Sequence, residues 1–161
     1  MKSKTLSFQL SIFESLAELP KEDQELISLA SQAKENAYAP YSHFKVGAAV
    51  LLENKQVVIG SNQENASYPS GLCAERVAVF QAGAKFPGVT ILKIAIVASS
   101  EKTATREPAA PCGNCRQSIF EYENKQKKPI ELLLMGGEGP IYKCLSIKDI
   151  LPLAFKSDFL V

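Results

Sequence analysis

The chain of 161 residues predicts an α/β fold: a three-layer α-β-α sandwich around a mixed sheet of about five strands, with an extra N-terminal strand. Two observations lead to this prediction. Short apolar runs typical of strands alternate with longer stretches that have one apolar face, as helices do. One of the runs, residues 91–98, is apolar enough for a strand that is covered on both faces.

The first half of the chain predicts a strand, a helix and a hairpin. Apolar and polar residues alternate from Leu6 to Ile12, which indicates a half-buried strand. Pro20 then opens a helix from Lys21 to about Tyr38, because proline is favoured at the first position of a helix. The hairpin is formed by strands over residues 46–52 and 56–61.

The second half continues the alternation of helices with strands. A polar loop leads into a helix, and both later helices follow a strand and a loop. The predicted elements are a helix over 73–84, a strand over 91–98, a helix over 112–123, strands over 130–135 and 141–145, and a short helix opened by the capping box Ser146-x-x-Asp149.

The charge balance limits the range of partners. Eighteen basic and seventeen acidic side chains give a net charge of +1, and no basic cluster is present. Nucleic acid is therefore not expected as a ligand, and a small, weakly charged molecule fits better. The sequence also lacks a secretory or membrane-spanning apolar run. We expect a cytoplasmic protein without a membrane partner, in which thiols stay reduced.

Two short motifs contain the residues suited to catalysis, Cys73-Ala74-Glu75 and Pro111-Cys112-Gly113-Asn114-Cys115. Three thiolates leave the fourth position of a tetrahedral Zn²⁺ open, which is typical of catalytic sites. Both motifs lie at predicted helix N-termini, where the partial positive charge favours thiolates. The combination resembles the signature of zinc-dependent nucleobase deaminases, in which the carboxylate, here Glu75, moves protons without binding the metal.

Other interpretations of the cysteines remain open at this point. The paired thiols alone fit a thioredoxin-like redox site, although that leaves the first motif unexplained. A closed structural zinc site needs a fourth ligand, for which Cys144 and His43 are the candidates. Cys144 lies in a predicted strand, which favours core packing. His43 lies in a loop and is interpreted as a surface or packing residue.

Two arginines directly follow the motifs. Three thiolates and one Zn²⁺ carry one net negative charge, which a nearby guanidinium would offset. Arg76 and Arg116 are placed for this role, but each is equally well explained as a solvated charge on a helix. The sequence pattern alone does not choose between these two interpretations.

From about Ala37 to Phe155 the chain resembles the small, homo-oligomeric cytidine deaminases. Several separate motifs carry the resemblance, and they occur in the expected order. They are Tyr38–Ala49, Asn62–Tyr68, Cys73–Arg76, Pro111–Gln117, and Leu151-Pro152 followed by Phe155. Asn114 departs from the family pattern, because a small residue is more usual there. Residues 1–20 are interpreted as an N-terminal extension, and residues 21–161 as the catalytic domain.

The resemblance implies a role for each matching residue. One Zn²⁺ per chain is held by Cys73, Cys112 and Cys115, with Glu75 as the proton shuttle and Arg76 hydrogen-bonded to the ligand sulfurs. Asn62 and Glu64 match residues that bind the ribose hydroxyls, as an amide and a carboxylate are suited to do. The implied substrate contacts are Phe44, Asn62, Glu64, Tyr68, Ala74 and Phe155, of which Phe155 is contributed by a neighbouring subunit.

The activity implied is hydrolytic deamination of cytidine and deoxycytidine to uridine and deoxyuridine, in pyrimidine salvage. The shared aromatic residue implies a homo-oligomer with shared active sites, most simply a homotetramer. Two alternatives remain. One is another zinc deaminase, acting on a free base, a nucleotide or an aminated antibiotic. The other is a zinc-binding module without activity, which would need a fourth protein ligand.

Overall fold

The computed structural model describes residues 1–160 and shows a six-stranded sheet packed against three α-helices. Within these residues, no helix is both long enough and apolar enough to span a bilayer. The elements in chain order are β1 (Ser11–Phe13), α1 (Lys21–Glu35), β2 (Phe44–Leu52), β3 (Val57–Ser61), α2 (Ala74–Lys85), β4 (Ile91–Ser100), α3 (Gly113–Gln126), β5 (Glu131–Met135) and β6 (Ile141–Cys144).

The sheet is mixed, with the strand order β1-β6-β5-β4-β2-β3. Among the six strands described, only the pair β4 and β5 is parallel, and α3 is the crossover between these two strands. The strand β2 runs antiparallel to both of its neighbours, β3 and β4. Consequently β3 and β4 point in the same direction, and the loops that follow them leave the sheet at the same edge.

The layers follow from the alternation of side chains along the strands. In β2, Ala48 and Val50 pack with α2 and α3 in one core, whereas Ala49 and Leu51 pack with α1 in a second core on the opposite face. The predicted three-layer sandwich with an extra N-terminal strand is thereby confirmed. The capping box at Ser146 is also present, and it opens a 3₁₀ turn over Ile147–Asp149.

The N-terminal strand is shorter than predicted and lies later in the chain. The prediction was Leu6 to Ile12, but pairing begins at Ser11, opposite Lys143 in β6. Because β6 has only four residues, it cannot pair with a seven-residue strand. Leu6 and Phe8 are consequently exposed. The division into an extension, residues 1–20, and a catalytic domain, residues 21–161, stays a prediction.

The first helix also ends earlier than predicted. It stops at Glu35, although the pattern extended it to about Tyr38. The backbone of Tyr38 is instead paired with the loop that follows β3, donating to the Asn62 carbonyl at 3.0 Å and accepting from the Glu64 N–H at 2.8 Å. This pairing fixes the loop above the sheet edge.

Close packing of α2 on β3 requires a glycine. A Cβ added at Gly60 would lie 2.7 Å from the carbonyl oxygen of Ala74, the first residue of α2. Any larger residue would push the start of the helix away from the sheet. Gly60 thereby sets the position of the first turn of α2, which carries the motif residues Ala74 and Glu75.

A buried carboxylate joins the first helix to three strands. Asp23 is fully buried in α1 and lies 2.6 Å from Lys93 Nζ and 3.1 Å from Lys143 Nζ. Both lysines also contact Glu131, at 4.0 Å from Lys93 and 2.8 Å from Lys143. The network ties α1 to β4, β5 and β6, and a buried charge of this kind is tolerated only while its partners are in place.

We expect Asp23→Asn to lower the free energy of unfolding by about 3 kcal/mol, because two lysines then face an amide instead of a carboxylate. Denaturant unfolding followed by circular dichroism measures the change. Glu25→Gln is the matched control, since Glu25 is exposed on the same helix and should cost no more than about 0.5 kcal/mol. An equal effect of the two variants would contradict a stabilising role of the buried network.

Candidate active site

Three cysteines meet where two helices begin. Cys73 is the N-cap of α2 and Cys112 is the N-cap of α3. Cys115 lies in the first turn of α3 and is fully buried. The sulfurs of Cys73 and Cys112 are 3.9 Å apart, those of Cys112 and Cys115 are 3.5 Å apart, and all three lie within 4.8 Å of one another. The two sequence motifs are thus brought together as one cluster.

The three thiols fit a zinc ion. Zn–S bonds of about 2.3 Å in tetrahedral geometry separate two ligand sulfurs by about 3.8 Å, close to the spacing found here. Thiolates are also the soft ligands that zinc prefers. Among the described residues, the cluster of ligand atoms includes neither Cys144 nor His43, and Cys144 is packed in the core. The three-cysteine zinc site is therefore favoured over the closed site with four protein ligands.

The surroundings favour a thiolate at Cys73 and oppose one at Cys115. The pKa of Cys73 is lowered to about 5, because Cys115 and Cys112 donate hydrogen bonds to its sulfur and Arg76 adds a positive charge. The pKa of Cys115 is raised, because its thiol donates to Cys73 and because it is buried. A divalent cation relieves this conflict, since it stabilises all three sulfurs as thiolates at once.

Glu75 lies in the first turn of α2 and is only 4% exposed. Burial is the main cause that raises its pKa to about 7, and the nearby Cys73 contributes in the same direction. A carboxyl group with a pKa near neutrality can both take up and release a proton at physiological pH. Glu75 lines the same cavity as Cys73 and Cys112.

The cavity in front of the cysteines has a volume of about 700 Å³, within the range of pockets that bind small molecules. It opens at the sheet edge where β3 and β4 end and β2 begins. The predicted site residues on its wall are Phe44, Asn62, Glu64, Tyr68, Cys73, Glu75, Arg76 and Cys112. Three others are not on the wall. Ala74 and Cys115 are fully buried behind it, and Phe155 lies on the C-terminal tail with 56% of its surface exposed.

Asn62 is bonded to the backbone of β2. Its Oδ1 accepts a hydrogen bond from the Val46 N–H at 2.8 Å, and its Nδ2 donates to the Phe44 carbonyl at 3.0 Å. Because an amide nitrogen has two hydrogens, one N–H remains for a ligand. The same side chain therefore fixes the backbone of Phe44 and presents a donor to the cavity.

Glu64 is bonded to the turn that precedes β2. Its Oε2 accepts from the N–H groups of Tyr41 at 2.9 Å and Ser42 at 3.2 Å. The Ser42 hydroxyl together with these backbone groups holds the pKa of Glu64 below its usual range. Both backbone bonds end on Oε2. Glu64 thus stays ionised, with Oε1 as the oxygen that a ligand can use.

The two arginines that follow the motifs have different surroundings. Arg76 lies on the cavity wall, and its positive charge contributes to the lowered pKa of Cys73. Arg116 is partly buried and is bonded to backbone carbonyls. Its Nε donates to the Pro111 carbonyl and its Nη1 to the Ile150 carbonyl, both at 2.7 Å. Of the two open interpretations, charge compensation is supported for Arg76 alone.

Sequence reasoning missed part of the cavity wall. Ala109 and Ala110 form one side of it, and their only sequence signal is their place just before Pro111-Cys112. The loop containing them is held by the turn after β5, where the Gly137 N–H donates to the Thr105 carbonyl at 2.8 Å. This contact joins residues far apart in sequence, and no local pattern marks it.

The fold and the site together define a class of protein: a zinc-dependent hydrolase with a three-cysteine metal centre and a buried carboxylate beside it. Comparison with known proteins agrees. The family model of the cytidine and deoxycytidylate deaminase zinc-binding region matches residues 20–128. The chain belongs to this family.

Individual relatives support the same conclusion. A cytidine deaminase from Halalkalibacterium halodurans is 40% identical over 135 residues, which are 84% of this chain and 95% of the relative. The crystal structure of cytidine deaminase from Burkholderia pseudomallei is 40% identical, with a TM-score of 0.69 over 85% of this chain and 100% of that chain. That of cytidine deaminase from Mycobacterium tuberculosis is 34% identical, with a TM-score of 0.65 over 85% and 99% of the two chains.

Replacing any one of Cys73, Cys112 and Cys115 by alanine should reduce zinc from one ion per chain to a small fraction, because two thiolates and water bind the ion much more weakly. Metal analysis of the purified variants measures this. Cys144→Ala is the control and should keep its zinc, as this thiol lies in the core. Full zinc occupancy in Cys73→Ala would show that Cys73 is not a ligand.

Proposed function

We propose that this protein is a cytidine deaminase, which hydrolyses cytidine and deoxycytidine to uridine and deoxyuridine with release of ammonia. One observation carries the proposal. The buried carboxylate of Glu75 lies beside the three-cysteine cluster on the wall of a cavity that also contains Asn62 and Glu64. A proton carrier, a metal centre and a pair of groups suited to hydroxyls thus face the same space.

The cavity wall favours a nucleoside over the other substrates of zinc deaminases. Glu64 accepts and Asn62 donates, so together they match the hydroxyl groups of a sugar. A free base would leave the second amide N–H of Asn62 and Oε1 of Glu64 without a ligand partner, which costs binding free energy. A nucleotide would bring its phosphate towards the ionised Glu64. Phe44 lines the same cavity, and we expect its ring to lie against the pyrimidine.

The chemistry combines the metal with one residue that carries protons. Zinc bound by the three thiolates supplies the Lewis acidity that allows water to ionise near neutral pH. Glu75 accepts the proton that this water gives up and transfers it to ring N3, which makes C4 more electrophilic. Once the oxygen is bonded to C4, Glu75 takes the remaining proton from that oxygen and delivers it to the amino group, the C4–N bond breaks, and ammonia leaves while the C4 carbonyl forms. Water and cytidine are thereby converted to uridine and ammonia, and Glu75 returns to its starting state.

The proposed assembly is a homotetramer with shared active sites. The ring of Phe155 is absent from the cavity wall of its own chain and is half exposed on the tail. Tyr68, at the cavity mouth, is 78% exposed. Aromatic rings as exposed as these two suit a contact with a second copy of the chain.

The proposed setting is pyrimidine salvage in the cytoplasm. All four cysteines carry free thiols, as expected of a protein kept under reducing conditions. The near-neutral charge suits a soluble nucleoside substrate better than a nucleic acid.

Glu75→Gln tests the role of the proton carrier. We expect kcat for cytidine, followed by ultraviolet absorbance, to fall at least 10²-fold, which is the lower range for a lost general acid–base group. Zinc content should be unchanged because a glutamine side chain keeps the shape of the site. Glu121→Gln, an exposed substitution on α3, is the control. A Glu75→Gln variant within about tenfold of the unaltered protein would exclude this role.

Glu64→Ala tests the sugar contact. We expect kcat/KM for cytidine to fall roughly ten- to a hundredfold, because a sugar hydroxyl loses its partner in the cavity. Glu107→Ala removes an exposed carboxylate outside the cavity wall and should leave the kinetics unchanged. Unchanged kinetics in Glu64→Ala would instead favour a substrate without a sugar.

A further inference from the structure

The C-terminal segment, residues 146–155, is attached to α3 by side chains of that helix. The first attachment is Glu123, which is 1% exposed. Its Oε1 accepts from the Ser146 hydroxyl at 2.7 Å, and its Oε2 accepts from the Ile147 N–H at 3.1 Å. This buried carboxylate fixes the point at which the segment begins.

Arg116 makes the second attachment, nearer the start of α3. Its guanidinium bridges two carbonyls, those of Pro111 and Ile150, at 2.7 Å each. Pro111 directly precedes the zinc ligand Cys112. Because the planar guanidinium has a fixed geometry, the two hydrogen bonds hold the metal-binding loop and the C-terminal segment in one relative position.

Gln117 makes the third attachment, as its Nε2 donates to the Phe155 carbonyl at 3.0 Å. Between Ile150 and Phe155 the chain bends at Leu153, which has a φ of +58° and is 92% exposed. A bulky residue with positive φ is strained and persists only where the chain is fixed on both sides. Here Arg116 fixes one side of the bend, and Gln117 fixes the other.

The attachments determine where the ring of Phe155 is presented. The backbone of Phe155 is bonded to α3, while its ring is half exposed and contacts Phe159, with ring centroids 5.7 Å apart. The ring is absent from the cavity wall of its own chain. The bonds to α3 therefore hold the backbone while leaving the ring free to contact another molecule.

We propose that Arg116 is a positioning residue for the active site of a neighbouring chain. It holds the C-terminal segment in the orientation in which Phe155 reaches the cavity of that neighbour. Its second hydrogen bond fixes this orientation relative to the loop that carries Cys112. The inference rests on the proposed shared active site. This role differs from a role in the zinc centre of the same chain. If Arg116 positions Phe155, the defect of an Arg116 variant appears in the partner's cavity and not in its own.

Mixed oligomers distinguish these two roles. Arg116→Met keeps the aliphatic stem and removes both hydrogen bonds, and we expect it to lower kcat/KM at least tenfold. Co-expressed with Glu75→Gln chains, it should regain activity, because its own Glu75 is intact and the partner supplies a well-placed Phe155. For random mixing in equal amounts, about a quarter of the cavities combine both intact parts. Co-expressed with Phe155→Ala chains, it should gain no activity, because the C-terminal segments of both chains are then defective.

The opposite pattern, activity with Phe155→Ala and none with Glu75→Gln, would overturn the proposal and assign Arg116 to its own zinc loop. The pairing of Glu75→Gln with Phe155→Ala tests the shared site separately. If this pairing forms mixed oligomers without activity, the active site is not shared between chains, and the proposal for Arg116 is wrong as well. If it is active, the Arg116 pairings test the positioning role alone.

A second measurement does not depend on turnover. Hydrogen exchange of backbone amides in residues 150–160 should become faster in Arg116→Met, with zinc content unchanged. Arg116→Lys, which keeps the positive charge but lacks the planar fork of donors, should show an intermediate rate. If Arg116→Met does not fold, Gln117→Leu replaces it in the same pairings, because it releases the segment without altering the metal-binding loop. Unchanged exchange in residues 150–160 would contradict the proposal.

Discussion

The geometry of the site depends on the direction of two strands. Because β2 is antiparallel to both β3 and β4, the strands β3 and β4 end at the same sheet edge. The helices that follow them, α2 and α3, begin side by side. Two helix N-termini, each with free N–H groups and a partial positive charge, then lie next to each other. This is a favourable place for a cluster of thiolates, and Cys73 and Cys112 occupy the two N-caps.

The same arrangement explains the buried carboxylate. A third thiol and Glu75 lie within the first turns of the two helices, where negative charge is stabilised by the helix dipole but water is excluded. Zinc would offset two of the three thiolate charges, and Arg76 adds positive charge on the cavity wall. Glu75 lies beside the cluster, and its carboxyl group can gain and lose a proton at neutral pH. A single residue can therefore serve each proton transfer of the proposed reaction.

Much of the candidate site could be predicted from the sequence, for a physical reason. The cysteines and Glu75 lie in short motifs at helix starts, and local spacing determines where such residues point. The contacts of Arg116 and Asn62 could not be predicted, because their partners are backbone carbonyls and N–H groups, which any residue provides. The bounds of β1 were missed for a related reason: they depend on the length of β6, about 130 residues later in the chain.

The backbone bonds of Asn62 have a consequence for how such a protein can evolve. The amide proposed to face the sugar also fixes the backbone of Phe44, the residue proposed to lie against the base, so one connected unit would recognise both halves of the ligand. A substitution that adapts the cavity to a different sugar would also shift the aromatic ring. On this proposal, replacing Asn62 would alter recognition of the base and of the sugar together, whereas Ala109 and Ala110 lie on the cavity wall outside this unit.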